Sequence, residues 1–540
     1  MQLRRPLDFT LVSDHAELLG ETRICATPGT PGHDSFVCGL NRRFPLLGYA
    51  LVNSEYSSRA PHRFRLCGED GVRCREQEAL AWRAIQDAAE EAYDRSAACR
   101  FSSFVGYEWS GMPDGNNLHR NVVFRNAVVP ARPANYIEQN TVEALWTRLE
   151  QDCLAAGNGC DVLAIPHNSN VSGGLMFRQS SDGAPLTRAD AERRARLERL
   201  LEVSQHKGDS ECRAGGTDEL CGYEKLEFTR MDQMASPRMW SEPAPLSYAR
   251  EGLAEGLRLG RRLGANPFAF GLIAATDTHL ATPGLVDEDR FVGHAAGTVS
   301  ARLEIPPLPD RIDFNPGGLA VLWAEENSRD ALFEAMRRRE AYGTSGPRMQ
   351  VRFFGGYTYR PELCRASDFA AAGYAGGVPM GGDLSSSDGG APAFAVSALK
   401  DPGTLDHAGT KLQRIQIVKI WLAGTEPREA VFDVGGDPGN GAAVDPLTCN
   451  PTGPGFDQLC AVWRDPAFDA RAPALYYVRV VENPSCRWNA WACLAARVDC
   501  AKPDAVPEGL EPCCDPAVPK TIQERAWTSP IFYTPTEEAP

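Results

Sequence analysis

The sequence is short of the features that assign a class directly. No apolar run in its 540 residues approaches the roughly 18–20 needed to cross a bilayer, so no membrane-spanning helix is expected. The start, Met1-Gln-Leu-Arg-Arg-Pro-Leu-Asp8, has no apolar export core and runs directly into a predicted strand. The closely spaced double cysteine pairs of zinc knuckles are missing. No Gly-x-Ser-x-Gly elbow is present, and the Gly-rich stretch from Tyr374 to Gly382 lacks the strand-to-helix setting of a phosphate loop. There is no internal repeat, coiled coil or charge block. Basic charge is in deficit, with 56 Lys and Arg against 71 Asp and Glu. The resulting net charge of −15 repels phosphate backbones and argues against nucleic acid as a partner.

Cysteine, by contrast, is plentiful at 17. Several lie close together: Cys67 with Cys74, Cys153 with Cys160, Cys212 with Cys221, then Cys486, Cys493 and Cys500, and the adjacent Cys513 and Cys514. These gaps suit small disulfide loops and an oxidising compartment, and the odd count leaves one thiol over. A periplasmic or secreted location is therefore expected, with the signal peptide missing from this chain. If the start is genuine, the location is cytoplasmic. The 43% hydrophobic and 24% charged composition is that of a globular protein, and the length calls for two domains.

Up to about residue 350, short apolar runs alternate with helical stretches. The runs are Leu7 to Val12, Phe101 to Tyr107, Asp161 to Ile165, Phe270 to Ala275 and Gly318 to Trp323. The amphipathic stretches lie near 76–98, 141–156, 187–203, 247–263 and 328–340, with caps predicted at Asn140/Glu143 and Thr187/Asp190. This alternation predicts βα units on a parallel sheet, either barrel or doubly wound. Residues 351–540 are instead β-rich. A Gly/Ser/Pro-rich loop is predicted at about 369–393, followed by runs such as Arg414 to Leu422 and Leu475 to Val481, a pattern that predicts an antiparallel sandwich.

The apolar runs share one property: each leads into acidic or imidazole side chains. Asp14-His15 follows the first, Glu108 the second, His167 the third and Asp277-Thr-His279 the fourth. Strand C-termini are where barrel enzymes carry their sites. Taken singly, Asp14-His15 fits a helix N-cap, Glu108 an ion pair, and His119 (in Asn-Leu-His-Arg-Asn) an ordinary loop residue. Together, imidazoles and carboxylates suit Mn, Zn or Fe, and paired ions can activate water and stabilise charge on a phosphoryl or sulfuryl oxygen. The expected catalytic residues are Asp14, His15, Glu108, His167 and Asp277, all of them also metal ligands. The expected substrate is a small anionic ester, with Arg120, Lys207 and Arg348 as candidate anion contacts. A solvated helix face explains the run Arg337 to Arg339 as well as an anion contact does, so these residues are not counted among the candidates. His33, His62, His294 and His407 read as surface residues, and His206 fits either a polar turn or a site loop. The imidazoles favour metal chemistry over a carboxylate pair acting on carbohydrate.

The strings Ser13-Asp-His-Ala-Glu17, Val105-Gly-Tyr-Glu-Trp109, His119-Arg-Asn121, Ile165-Pro-His-Asn168, Lys207-Gly-Asp-Ser-Glu211, Asp277-Thr-His279, Thr344-Ser-Gly-Pro-Arg348 and Glu524-Arg-Ala-Trp-Thr-Ser-Pro530 resemble, over nearly the whole chain, the bacterial family known as domain of unknown function 3604. That family looks like a branch of the polymerase and histidinol phosphatase (PHP) superfamily. The resemblance implies a distorted (βα)7 barrel with two to three divalent ions and phosphoester hydrolysis. It implies metal ligation by Asp14, His15, Glu108, His119, His167, Asp277 and His279, and gives His119 a role that its own surroundings do not. The superfamily's leading His-x-His belongs to a first strand that would precede residue 1. Upstream sequence missing from this chain would account for that gap and for the missing export signal. Without those ligands the expectation becomes a catalytically impaired metal- or anion-binding protein.

Overall fold

A computed structural model describes residues 2–178, 184–226, 229–231, 233, 242–294, 308–386 and 390–535. Among these, nine strands precede residue 345: β1 (Phe9–Leu11), β2 (Ser102–Trp109), β3 (Arg120–Phe124), β4 (Val162–Pro166), β5 (Leu200–Gln205), β6 (Gly208–Asp209), β7 (Gly271–Ala274), β8 (Leu319–Leu322) and β9 (Ala341–Thr344). Eight helices accompany them: α1 (Leu19–Ala26), α2 (Phe36–Arg43), α3 (Pro45–Tyr56), α4 (Val72–Ala92), α5 (Val142–Leu149), α6 (Arg188–Leu197), α7 (Ala249–Leu263) and α8 (Arg329–Arg338). All five apolar runs are strands.

Local chemistry sets the helix ends. Thr187 and Asp190 cap α6 reciprocally, as expected. In α5 the cap is Thr141, whose hydroxyl takes the Ala144 N–H at 3.1 Å, rather than Asn140. The stretch at 187–203 is not one helix, because α6 stops at Leu197 and β5 begins at Leu200. Every residue of β5 is buried, and a strand buried on both faces has no two-residue alternation to reveal it.

The arrangement is mixed α/β with no closed barrel among the described residues. β1 pairs parallel to β2, but β2–β3 and β3–β4 are antiparallel. The expected all-parallel sheet fails here because no α-helix crossover lies between β2 and β3, and a short connection returns the chain antiparallel. β5 pairs parallel to β7, with β4 packed beside β5 and β7 beside β9. Among the described residues β1 pairs only with β2, and β8 only with β9. Their residues are half-exposed, whereas β2, β4, β5 and β7 are buried throughout. A cavity of about 480 Å³ lined by Phe9, Leu11, Phe104, Ile165, Leu322 and Met336 lies at these edges.

The C-terminal part is a sandwich. One antiparallel sheet has four strands, in the order 377–379, 350–356, 393–399 and 458–464. The other has eight, including Leu412–Ala423, Glu426–Gly436, Ala474–Glu482 and Arg525–Thr528, and it extends through β9 to β8. The two sheets share a core in which the rings of Phe394 and Tyr476 lie 4.2 Å apart. On its other face, Val418, Ile420, Leu475 and Trp527 share a core with Leu253 and Leu257 of α7. Strand Leu412–Ala423 is therefore apolar on both faces.

The loop expected at 369–393 is not one. It holds a helix, Phe369–Gly376, and strands Gly377–Pro379 and Asp383–Ser385, while residues 387–389 lie outside the described residues. Asp368 caps that helix. A Cβ on Gly373 would meet the Phe354 ring at 2.4 Å, so the small residues serve close packing.

Eight disulfides form, among them the expected Cys67–Cys74, Cys153–Cys160 and Cys212–Cys221, and Cys99 is the free thiol. Eight bridges fit an oxidising compartment. No described helix is long and apolar enough to cross a membrane.

Candidate metal centre

The ends of six strands bring side chains to one rim. His15 follows β1 and bridges to Glu108 near the end of β2, whose N–H donates to the Asp14 carbonyl at 2.9 Å. His119 immediately precedes β3, and its carbonyl accepts the His167 N–H at the end of β4. His206 follows β5. Asp277 and His279 follow β7, with Asp277 in the left-handed region at φ +50°, a conformation that a non-glycine residue holds only under constraint from its surroundings. Gly317 packs beside this turn at φ +82°, where a Cβ would strike the Ala275 carbonyl at 2.7 Å.

The ligand atoms fall into three overlapping sets, each within 4.8 Å: His15–Glu108–His119, Glu108–His167–Asp277 and His206–Asp277–His279. Glu108 belongs to two sets, as does Asp277. Glu108 lies 2.6 Å from His119 Nδ1, 3.5 Å from His15 Nδ1 and 3.7 Å from His167 Nε2. Nε2 of His119, Nε2 of His167 and Nδ1 of His206 are buried with no hydrogen-bond partner among the described residues. Two other acid–cysteine groupings, Glu21 with Cys67 and Cys74 and Asp218 with Cys212 and Cys221, have their sulfurs tied up in disulfides.

Electrostatics favour ligation. Burial pushes His119 and His206 below the ordinary imidazole range, leaving their lone pairs free at neutral pH, while His279 is exposed at the rim. His15 moves the other way, since Glu108, Glu17 and Asp277 together outweigh the effect of its burial. Burial would raise Glu108 and Asp277. Imidazoles His15 and His167 hold Glu108 well below the usual carboxylate range, and Lys207 with His206 does the same for Asp277. A supporting layer lies behind. Gln205 Nε2 donates to Asp277 at 2.7 Å, Glu202 lies 3.5 Å from His167 Nδ1, and Ser110 Oγ lies between His15 and Glu108. Burial lifts Glu202 to about 7.

Six of the seven expected ligands converge: His15, Glu108, His119, His167, Asp277 and His279. Asp14 sits at the rim with an exposed side chain, outside all three sets. Of the expected anion contacts only Lys207 lies in the cluster, where its ammonium pairs with Asp277 and approaches His206 Nε2 at 3.0 Å. Arg120 is not available, because it alternates with the cavity-lining Asn121 and is buried against Glu198 at 3.0 Å. Arg348 is elsewhere, donating to the carbonyls of Pro6 and Arg5. His294 is not a surface residue. It is fully buried, with its ring 5.5 Å from that of His206 and its Nε2 2.7 Å from the Pro316 carbonyl.

Glu202 and Gln205 are the residues that sequence reading missed, and His206 was left open between a polar turn and a site loop. Their signal was the same one that found the others, an apolar strand leading into a ligand, hidden because that strand was read as helix.

The family described as "Protein of unknown function (DUF3604)" matches residues 1–535, and the chain belongs to it. No curated protein and no solved structure matches the chain.

Proposed function

We propose that this member of the DUF3604 family is a divalent-metal-dependent hydrolase of phosphate esters. The observation that carries the reading is the set of three overlapping donor groups sharing Glu108 and Asp277, with Nε2 of His119 and of His167 buried and unpartnered. Unpaired buried polar atoms are costly, and a cation would satisfy them. His15, Glu108 and His119 would hold one ion and His206, Asp277 and His279 another, with His167 between them. Bound Mn, Zn or Fe supplies Lewis acidity and makes water a nucleophile near neutral pH. Ionised Glu108 and Asp277 balance the cations, while Gln205 and Glu202 fix the orientations of Asp277 and His167. Lys207 offers a point charge for a non-bridging oxygen of the anionic ester. The delivery of ligands from strand ends supports an opened, distorted barrel of PHP type.

One observation favours a second reading. The Lys207 ammonium already neutralises Asp277, as in a protein that keeps one ion and binds an anion without turnover. A panel of phosphate monoesters, diesters and sulfate esters, each with and without Mn, separates the two. Metal-dependent release of phosphate supports the hydrolase. Metal binding with no turnover of any ester supports the binding protein.

A further inference from the structure

We infer that the ester bound at this centre carries a bulky apolar alcohol group, seated in a chamber between the donor cluster and helices α1–α3. This rests on the hydrolase reading above and narrows its substrate class.

The chamber has a volume of about 840 Å³, within the range of small-molecule sites. Its floor includes His15, Glu108, His119, Lys207, Asp277 and His279, so an occupant would touch the cluster itself. Its walls include Leu18, Val37, Tyr49, Val52, Phe64 and Met112. On α3 the lining residues Pro45, Tyr49, Val52 and Tyr56 recur at helical spacing, so one whole face of that helix is turned to the cavity. The Cys25–Cys38 disulfide ties α1 to α2.

Several polar groups in the walls are occupied by the protein, while the Tyr56 hydroxyl and Glu17 Oε2 are buried without a hydrogen-bond partner among the described residues. Glu21 pairs with Arg63 at 3.1 Å. Arg42 donates to the carbonyls of Cys25 and His33 at 3.0 Å, and Asn53 to that of Tyr49 at 2.9 Å. Glu17 accepts the N–H groups of Ser110 and Tyr136. A polyol or sugar moving in would lose its hydrogen bonds to water and find few in return, whereas an alkyl or aryl group would gain from burial. Anionic recognition is confined to the floor and apolar recognition to the walls, and this division matches an amphiphilic monoester. In the reaction, the water oxygen bonds to phosphorus as the ester P–O bond breaks. The alcohol leaves with one of the water's protons, and inorganic phosphate remains.

The test uses the full chain loaded with Mn. Calorimetric binding of methyl-, propyl- and hexylphosphonate is measured beside hydrolysis of the matching alkyl phosphates, a series in which leaving-group acidity barely changes. Affinity and kcat/KM are expected to rise roughly threefold to fourfold per methylene. Val52→Asp is expected to flatten both slopes. If that variant fails to fold, the wild-type series decides alone. Flat or falling affinity along the series, or no phosphonate binding, overturns the chamber assignment even if the phosphates are hydrolysed. Rising affinity without hydrolysis upholds the chamber and overturns the hydrolase reading instead.

Discussion

Two of the buried polar clusters among the described residues are built on opposite terms. Where the sandwich meets α7, the carboxylates of Glu211 and Asp218 face the guanidinium groups of Arg250 and Arg479. Tyr477 and Trp527 donate to Glu211, the Leu220 N–H donates to Asp218, and no carboxylate oxygen is left over. Arg250 Nη1 makes no hydrogen bond among the described residues but faces the Glu429 carboxylate at 3.6 Å. Two negative charges meet two positive ones. At the strand rim the donor set is in surplus, with imidazole nitrogens and one oxygen of Glu202 unpartnered. Both clusters are buried, acidic and rich in hydrogen-bonding groups, so neither composition nor burial tells them apart. Satisfaction does: the closed network fastens two regions together, and the open one is shaped for a guest.

The largest expected effect comes from emptying the open cluster. Asp277→Asn removes a carboxylate shared by two donor sets. Metal content after reconstitution should fall below a tenth of wild type, and ester turnover by roughly 10³-fold or more. Unchanged metal content by mass spectrometry would mean that Asp277 is not a ligand.

Breaking the closed cluster should act on stability alone. Arg479→Ala leaves Glu211 and Asp218 sharing the single guanidinium of Arg250 and is expected to cost about 3–5 kcal/mol in urea unfolding, with the metal content of the folded fraction intact. Loss of metal without loss of stability would erase the contrast.

Acid should also separate the two. Burial takes His294 down to about 4 in the folded protein, below the roughly 6.5 of an unfolded chain. Protons then bind the unfolded state first, so the stability present above pH 6.5 is lost as pH falls toward 4. Relative to wild type, metal-free His294→Gln should therefore gain about 2 kcal/mol between pH 6.5 and 5. Glu211 and Asp218 are held below the usual carboxylate range by Arg479 and Arg250 against the effect of burial, so the closed network is level between pH 6.5 and 5 and loses its stabilisation only below the ordinary carboxylate pKa of about 4. A pH-independent difference between His294→Gln and wild type would refute the assignment.

The mildest effect belongs to the supporting layer. Glu202→Gln should weaken metal affinity by about 10–100-fold without abolishing it, measured by competition with a chelator.

Sequence showed the open cluster better than the fold around it. A ligand directly after an apolar strand is a local pattern, and it located His15, Glu108, His167, Asp277 and His279. His119 required the family resemblance, because the pairing of β3 with β4 that brings it beside His167 is not local. His206 was obscured by the doubly buried β5. Arg120 and Arg348 were chosen for charge, but strand alternation turns the first away and the N-terminal segment occupies the second. The closed network was invisible for a related reason. Its members lie at residues 211, 218, 250 and 479, and only the packing of α7 on a distant sheet unites them. Alternating strands and helices predicted mixed α/β correctly, but could not show that a short link reverses β3 and opens the sheet.

Metal analysis of the purified full chain, as isolated and after reconstitution with Mn or Zn, tests the central claim most directly. The open cluster predicts about two or more tightly held ions per chain. A chain that retains none after reconstitution would contradict it.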